Sequence, residues 1–235
     1  DARVAAAKWI IDLACGPGKF TTLVAQHTRG HVLGIDLSEV QLARARKHRR
    51  DNLTFLQHDI MQVDALRQRF AAAFLLDAAC YLPKRALALK GIARVITPHG
   101  RLLIADWLRA ERVNRLQRTL LLEPLIRYWR FSSLDTLSHY EVMLADAGFQ
   151  IISAEDVTDY ICRNWELGYG KATTVLQTLG MRELLRRLSL EDLVLRGGRQ
   201  AMILKDQYYA NVFPKLAADA GALRYGYIVA EKRPE

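Results

Sequence analysis

The stretch WIIDLACGPGKF, from Trp9 to Phe20, runs out of an apolar strand straight into a turn of two glycines around a proline. A strand this apolar needs cover on both faces. A turn this bare admits another molecule close to the backbone. The runs HVLGIDL, LTFLQHDI, AAAFLLDAAC and RLLIADWL repeat the apolar pattern. Helical patterns at 20–26, 38–50 and 84–95, with a short helical link near Ala65, separate them. Strands alternating with helices in this way predict an α/β, doubly wound, mostly parallel sheet.

After Trp107 the texture changes. Residues 109–145 and 163–220 read as mainly helical, and FQIISAEDV and ALRYGYIVAEK read as two further strands. The expected organisation is a core at 1–108, helical insertions forming a lid at 109–145 and 163–220, and final strands at 146–162 and 221–235. That makes a seven-stranded sheet whose C-terminal strand is antiparallel. Helix-like DARVAAA passes into KWIIDL without a turn residue, which predicts further sequence before residue 1 or near residue 8.

The 235 residues suffice for a full hydrophobic core. A net charge of +9 and a pI near 9.6 suit an anionic partner: nucleic acid, a phosphate-bearing molecule or an anionic membrane surface. Cys15, Cys80 and Cys162 lie far apart with no metal-ligand spacing, so neither a disulfide framework nor a metal site is expected. The reading is a reducing cytoplasm. No apolar run is long enough to span a bilayer, and no signal peptide is recognisable.

Gly16 and Gly18 sit where a parallel sheet binds ligands, beyond the carboxyl end of its first strand. Asp12 precedes the turn, and its carboxylate can take hydrogen bonds or meet a cation. Asp36 ends the second strand eighteen residues after Gly18, near the spacing at which a carboxylate reaches ribose hydroxyls. A nucleoside-bearing cofactor follows. The dinucleotide fingerprint is incomplete, because Thr21 stands where its third glycine belongs.

Taken together, IDLACGPG, GIDLS, QHDI, LLDAACYLP and IARVITPHGRLLIADW resemble the class I S-adenosylmethionine-dependent methyltransferases. The likeness is greatest to the small-molecule branch that acts on quinones, tocopherols, sterols and isoprenoids. It covers about residues 8–108, resuming loosely in LADAGFQIISAEDVTDY and LRYGYIVAEK, and implies a Rossmann-like sheet. It implies S-adenosyl-L-methionine as cofactor and S-adenosyl-L-homocysteine as product, with no metal. Asp12, Ala14, Gly16 and Gly18 would line the methionine part. Asp36 would hold the ribose, Leu37 would pack on adenine with Gln41 nearby, and Asp59 and Ile60 would meet the adenine amino group and ring. Asp77 and Tyr81 would face the sulfonium and its methyl. His99 replaces a glycine of the family's usual turn before the fifth strand.

Several features bear on the acceptor. Aromatic residues concentrate after the fifth strand, including Trp107, Tyr128, Trp129, Phe131, Tyr140, Tyr160, Trp165 and Tyr169. They suit a large apolar, aromatic or isoprenoid acceptor, with C-methylation ahead of O- or N-methylation. Tyr81, His139 and Glu155, with Asp156 beside the last, are the candidate catalytic groups. Arg109, Arg112, Arg115 and Arg118 recur every third residue and read as one helix face. They leave room for a phosphate-bearing acceptor, and the charge leaves room for peripheral membrane contact. The run RARKHRRDN reads as the wet face of a surface helix, with phosphate contact the sharper alternative. A nucleic-acid methyltransferase would carry a base-flipping motif, and none is present. A non-catalytic binding protein on the same fold is the other alternative. Homo-oligomerisation stays open.

Overall fold

The architecture comes from a computed structural model that describes residues 8–163 and 213–234. The helix-like DARVAAA, Trp165, Tyr169 and most of the expected insertion at 163–220 lie outside the described residues.

Seven strands form one sheet in the order β3-β2-β1-β4-β5-β7-β6. They are β1 (Trp9–Leu13), β2 (His31–Asp36), β3 (Leu53–Gln57), β4 (Phe70–Leu76), β5 (Ile96–Arg109), β6 (Phe149–Asp156) and β7 (Leu223–Lys232). β1 pairs parallel with both β2 and β4, β2 with β3, and β4 with β5, whereas β6 and β7 pair antiparallel. The winding direction reverses between β1 and β4, so their carboxyl ends flank a crevice. Ile10, Ile11 and Leu13 are fully buried, as a strand covered on both faces requires.

Helix α1 (Lys19–His27) follows β1, α2 (Glu39–Ala45) follows β2, and α3 (Arg85–Val95) leads into β5. α2 is shorter than the expected 38–50. Ser38 caps its start through Gln41 N, but Arg46, Lys47, Arg49 and Arg50 then give the chain like charge with little support for another turn. β5 is longer than the sequence indicates, because the chain is already extended from Ile96. His99 adopts φ 59°, the left-handed conformation that a glycine takes without strain.

The chain divides into two compact units. The first comprises Asp1–Leu108, Phe131–Asp156 and Gly226–Glu235, and includes α4 (Leu137–Asp146). Its core gathers Ile11, Ile35, Phe70, Leu75, Leu102, Tyr140 and Phe149. The Phe55 ring of β3 lies where side chains at Gly18 and Gly34 would stand, 2.7 Å from an ideal Cβ at each. The second unit comprises Arg109–Arg130 and Val157–Tyr225. The stretch expected as one insertion, 109–145, is thus divided at residue 130. Within the second unit, Arg115–Gln117, a π turn at Arg118–Leu122 and Glu123–Trp129 follow one another, and α5 (Phe213–Asp219) leads into the first residues of β7.

Candidate functional site

The glycine turn has two unlike glycines. Gly18 sits at φ 76°, packed on Phe55 and Ala45. Gly16 sits at φ 53°, and a Cβ there would meet nothing within 4 Å. Gly18 therefore packs the turn, and Gly16 leaves open space in front of it. Ala14 is also left-handed, at φ 61°, so the chain departs from β1 under local strain.

Asp36 closes the turn from the side. Its Oδ2 accepts Gly16 N at 2.8 Å and its Oδ1 accepts Ser38 N at 2.8 Å. Each oxygen of a carboxylate can accept a second donor, so a half-buried Asp36 keeps capacity for two hydroxyls. Leu37, 68% exposed, offers an apolar surface beside it. Gln41 Oε1, one helical turn on, is buried without a hydrogen-bond partner. At the end of β3, Asp59 accepts Met61 N at 2.8 Å through Oδ1 alone, and Ile60 is buried. Carboxylates with spare oxygens, an apolar flank, an orphan amide oxygen and an open glycine fit an adenosyl ligand.

Asp12 has a different setting. It is 3% exposed, and its Oδ2 accepts Thr21 Oγ1 at 2.6 Å. Burial pushes its carboxyl up to about 7, with the nearby Asp36 adding to the rise. Cys15 is likewise buried, its thiol pushed up to about 12 by desolvation. It is not a nucleophile at neutral pH.

Beyond β4 the chain turns at Asp77, left-handed at φ 50°, with its N–H on Ala105 O of β5 at 2.8 Å. A single helical turn, Ala79–Tyr81, follows, and a buried network grips it. Asp106 Oδ2 accepts Cys80 N at 2.6 Å and the Tyr140 hydroxyl at 3.2 Å, while Oδ1 accepts Trp107 N at 2.8 Å. Arg85, 5% exposed, donates Nε to Ala79 O at 2.8 Å, pairs with Asp135 and lies over the Tyr140 ring. Ser132 Oγ donates to Tyr81 O at 2.7 Å. Thus the turn's N–H side rests on a carboxylate and its C=O side on a guanidinium and a hydroxyl. Burial pushes the Asp106 carboxyl up to about 6.

The network presents rings. Tyr81 meets Phe131 edge to face at 5.1 Å, and Trp107 lies 6.0 Å from the same ring. Tyr81 is 42% exposed, and desolvation, aided by Cys80, Asp106 and Asp77, pushes its phenol up to about 12. It is a hydroxyl donor at neutral pH, not a base. The other aromatic residues have other places. Tyr140 is core, Tyr160 is 83% exposed, and Tyr128 packs on Trp129 in the second unit.

His139, in the first turn of α4, shares Asp135 with Arg85: its Nδ1 is 3.0 Å from Asp135 Oδ1. It lines a groove of about 400 Å³ with Leu82, Lys84, Arg85 and Met143. Glu155 stands on β6, the sheet's far edge, three strand spacings or about 14 Å from β4. It is fully exposed, and hydroxyls of Tyr227 and Ser153 hold its carboxyl below the usual range. Sequence reasoning passed over Asp106, Arg85 and Asp135, and took Tyr140 only as one of the aromatic set. The only local signal was Asp106, a lone acid inside the apolar run RLLIADWL.

Residues 10–100 match the model of a family described as a methyltransferase domain. Over that stretch the chain is similar to the class I S-adenosylmethionine-dependent methyltransferases. The chain is 23% identical over 161 residues to a sterol 24-C-methyltransferase of Saccharomyces cerevisiae, covering 64% of the chain and 41% of that enzyme. It is 28% identical over 171 residues to a 27-O-demethylrifamycin SV methyltransferase of Amycolatopsis mediterranei, covering 66% and 59%. The chain thus spans about half the length of these curated relatives. Its fold is shared with the [4+2]-cyclase SpnF at a TM-score of 0.66 and 21% identity, over 98% of this chain and 76% of that one.

Proposed function

We propose that this chain transfers the methyl group of S-adenosylmethionine to an apolar small molecule of the aromatic or isoprenoid kind, with carbon as the favoured acceptor atom. The observation that carries the reading is the open glycine turn at Gly16, closed from the side by Asp36. When bound, the cofactor supplies an electrophilic methyl on a cationic sulfur. The protein's part is to hold and align. Asp36 takes the ribose hydroxyls, Leu37 and Ile60 flank the adenine, Gln41 lies close by, and Asp59 accepts its amino group through the unused Oδ2. Asp12, Ala14 and Gly18 shape the methionine end, with Asp12 acting from behind through Thr21. Asp77 and the Tyr81 ring face the sulfonium.

Alignment is the principal source of rate for such a displacement. The clamp on Ala79–Tyr81 fixes Tyr81, and Phe131 and Trp107 extend an aromatic wall for the acceptor. Rings stabilise positive charge that develops on an alkene or arene carbon. Where a proton must leave, His139 with Asp135 is the candidate pair, ahead of Glu155.

The likeness to a cyclase favours one second reading, a domain that binds the cofactor without passing on its methyl. Incubation with methyl-labelled S-adenosylmethionine and a panel of prenyl, phenolic and amine acceptors separates the two. Label in a prenyl or aromatic product supports transfer. Tight S-adenosylhomocysteine binding with no labelled product across the panel refutes it. Among the described residues no helix is long and apolar enough to cross a membrane. Three cysteines outside any disulfide suit the reducing cytoplasm inferred above.

A further inference from the structure

Arg109, Arg112, Arg115 and Arg118 do not form the single helix face that their spacing suggests. Arg109 is the last residue of β5, Arg112 lies in a non-helical link, Arg115 begins the helix and Arg118 opens the π turn. Three of them converge for another reason. Arg109, Arg112 and Arg118 line one groove of about 570 Å³, wholly inside the second unit, together with Glu111, Asn114 and Gln117.

The groove wall is pinned before any ligand arrives. Gln117 N donates to Asn114 Oδ1 at 2.8 Å and Asn114 N to Gln117 Oε1 at 3.0 Å, a reciprocal cap. Gln117 Nε2 donates to Ala220 O at 2.7 Å, and Ala110 N to Ala222 O at 3.0 Å. With Asn114 Oδ1 and both polar atoms of the Gln117 amide committed to the backbone, the charged donors left for a ligand are the guanidinium groups. Arg109 gives one N–H to Ala110 O at 3.2 Å. Among the described residues none of the three arginines has an ion-pair partner, in contrast to Arg46 with Glu39, Arg94 with Asp64 and Arg127 with Glu123.

We propose that this groove binds the phosphate or diphosphate group of a small molecule. Guanidinium forks match phosphate oxygens two at a time. Three such cations against the single carboxylate of Glu111 suit a dianion better than a lone carboxylate. The volume accommodates a phosphate with an organic group attached. The site rests on residues of the second unit alone and does not depend on methyl transfer. The phosphate could be carried by a free metabolite or by a lipid headgroup.

The test is calorimetry with inorganic pyrophosphate on the wild-type chain, on Arg112→Gln/Arg118→Gln and on Arg49→Gln/Arg50→Gln, with S-adenosylhomocysteine titrated into each. The first double variant should weaken pyrophosphate by about tenfold or more and leave S-adenosylhomocysteine unchanged. The second should leave both unchanged. Flotation with phosphatidylglycerol vesicles assigns the source. Binding that pyrophosphate displaces, and that Arg112→Gln/Arg118→Gln loses, supports the site with a lipid carrier. Pyrophosphate binding without vesicle binding supports it with a soluble one. Absence of pyrophosphate binding by the wild type, or equal losses in the two double variants, overturns the proposal. Loss of S-adenosylhomocysteine binding in the wild type would instead overturn the cofactor reading.

Discussion

On the β1–β3 side of the sheet's carboxyl edge, Asp36 and Asp59 are half-buried and bonded to backbone amides alone. On the β4–β5 side, Asp106 is 1% exposed and takes three donors, among them the hydroxyl of Tyr140. The first arrangement leaves acceptor capacity for a ligand. The second is shut away from any ligand by burial, and instead fixes a turn that ends in the half-exposed Tyr81 ring. Asp12 lies on the first side by sequence but belongs with Asp106 by its surroundings, since both are buried and both hold protons more tightly than usual. Carboxylates at the same edge thus divide into those with acceptor capacity to spare and those that brace.

The contrast is most severely tested at Arg85. Arg85→Met removes the donor to Ala79 O and leaves Asp135 with His139 alone, so it should destabilise the fold by about 3–5 kcal/mol in urea unfolding. A loss below about 1 kcal/mol would remove the distinction between bracing and binding.

The next effect is pH-dependent. Asp12 and Asp106 have folded-state values of about 7 and about 6 against 3.8 for the free group. Their contribution to stability is full below about 4 and is lost as pH rises through about 6 and about 7. Asp12→Asn with Asp106→Asn should flatten this decline, a difference on the order of 2–4 kcal/mol between pH 4 and pH 8. Unfolding curves at the two pH values measure it, and an unchanged slope contradicts the assignment.

On the binding side, Asp36→Ala should weaken S-adenosylhomocysteine by about 1–3 kcal/mol in calorimetry. Unchanged affinity would mean the ribose lies elsewhere. The two glycines should separate stability from binding. Gly18→Ala forces a Cβ onto Phe55 and should cost about 1–3 kcal/mol of stability. Gly16→Ala enters open space, so beyond a strain of about 1 kcal/mol its effect should fall on cofactor affinity. Smallest of all, Glu155→Gln should change turnover by less than about twofold. A larger drop would bring the far edge of the sheet into the reaction.

The sequence makes the binding half readable for a physical reason. Gly16, Gly18, Asp36 and Asp59 act through backbone geometry and, apart from the bond of Asp36 to Gly16 N, through amides two residues on, so short motifs carry them. β1 to β4 follow from apolar runs for the same cause. The bracing half joins residues 79–81, 85, 106, 132–135 and 140, and no spacing rule links an arginine at the start of one helix to a tyrosine inside another. The arginine series misled because periodicity of three implies a helix face only where the chain is already helical, and the helix starts at Arg115.

The ring of Phe55 occupies the volume that side chains at Gly18 and Gly34 would claim. These three positions therefore cannot vary freely in evolution. A relative that replaces the phenylalanine with a small residue gains room for a methyl group at Gly34 only where the Cys15 sulfur, 3.0 Å from the same point, also gives way, so the edge strand and the glycine turn together dictate which amino acid β2 tolerates.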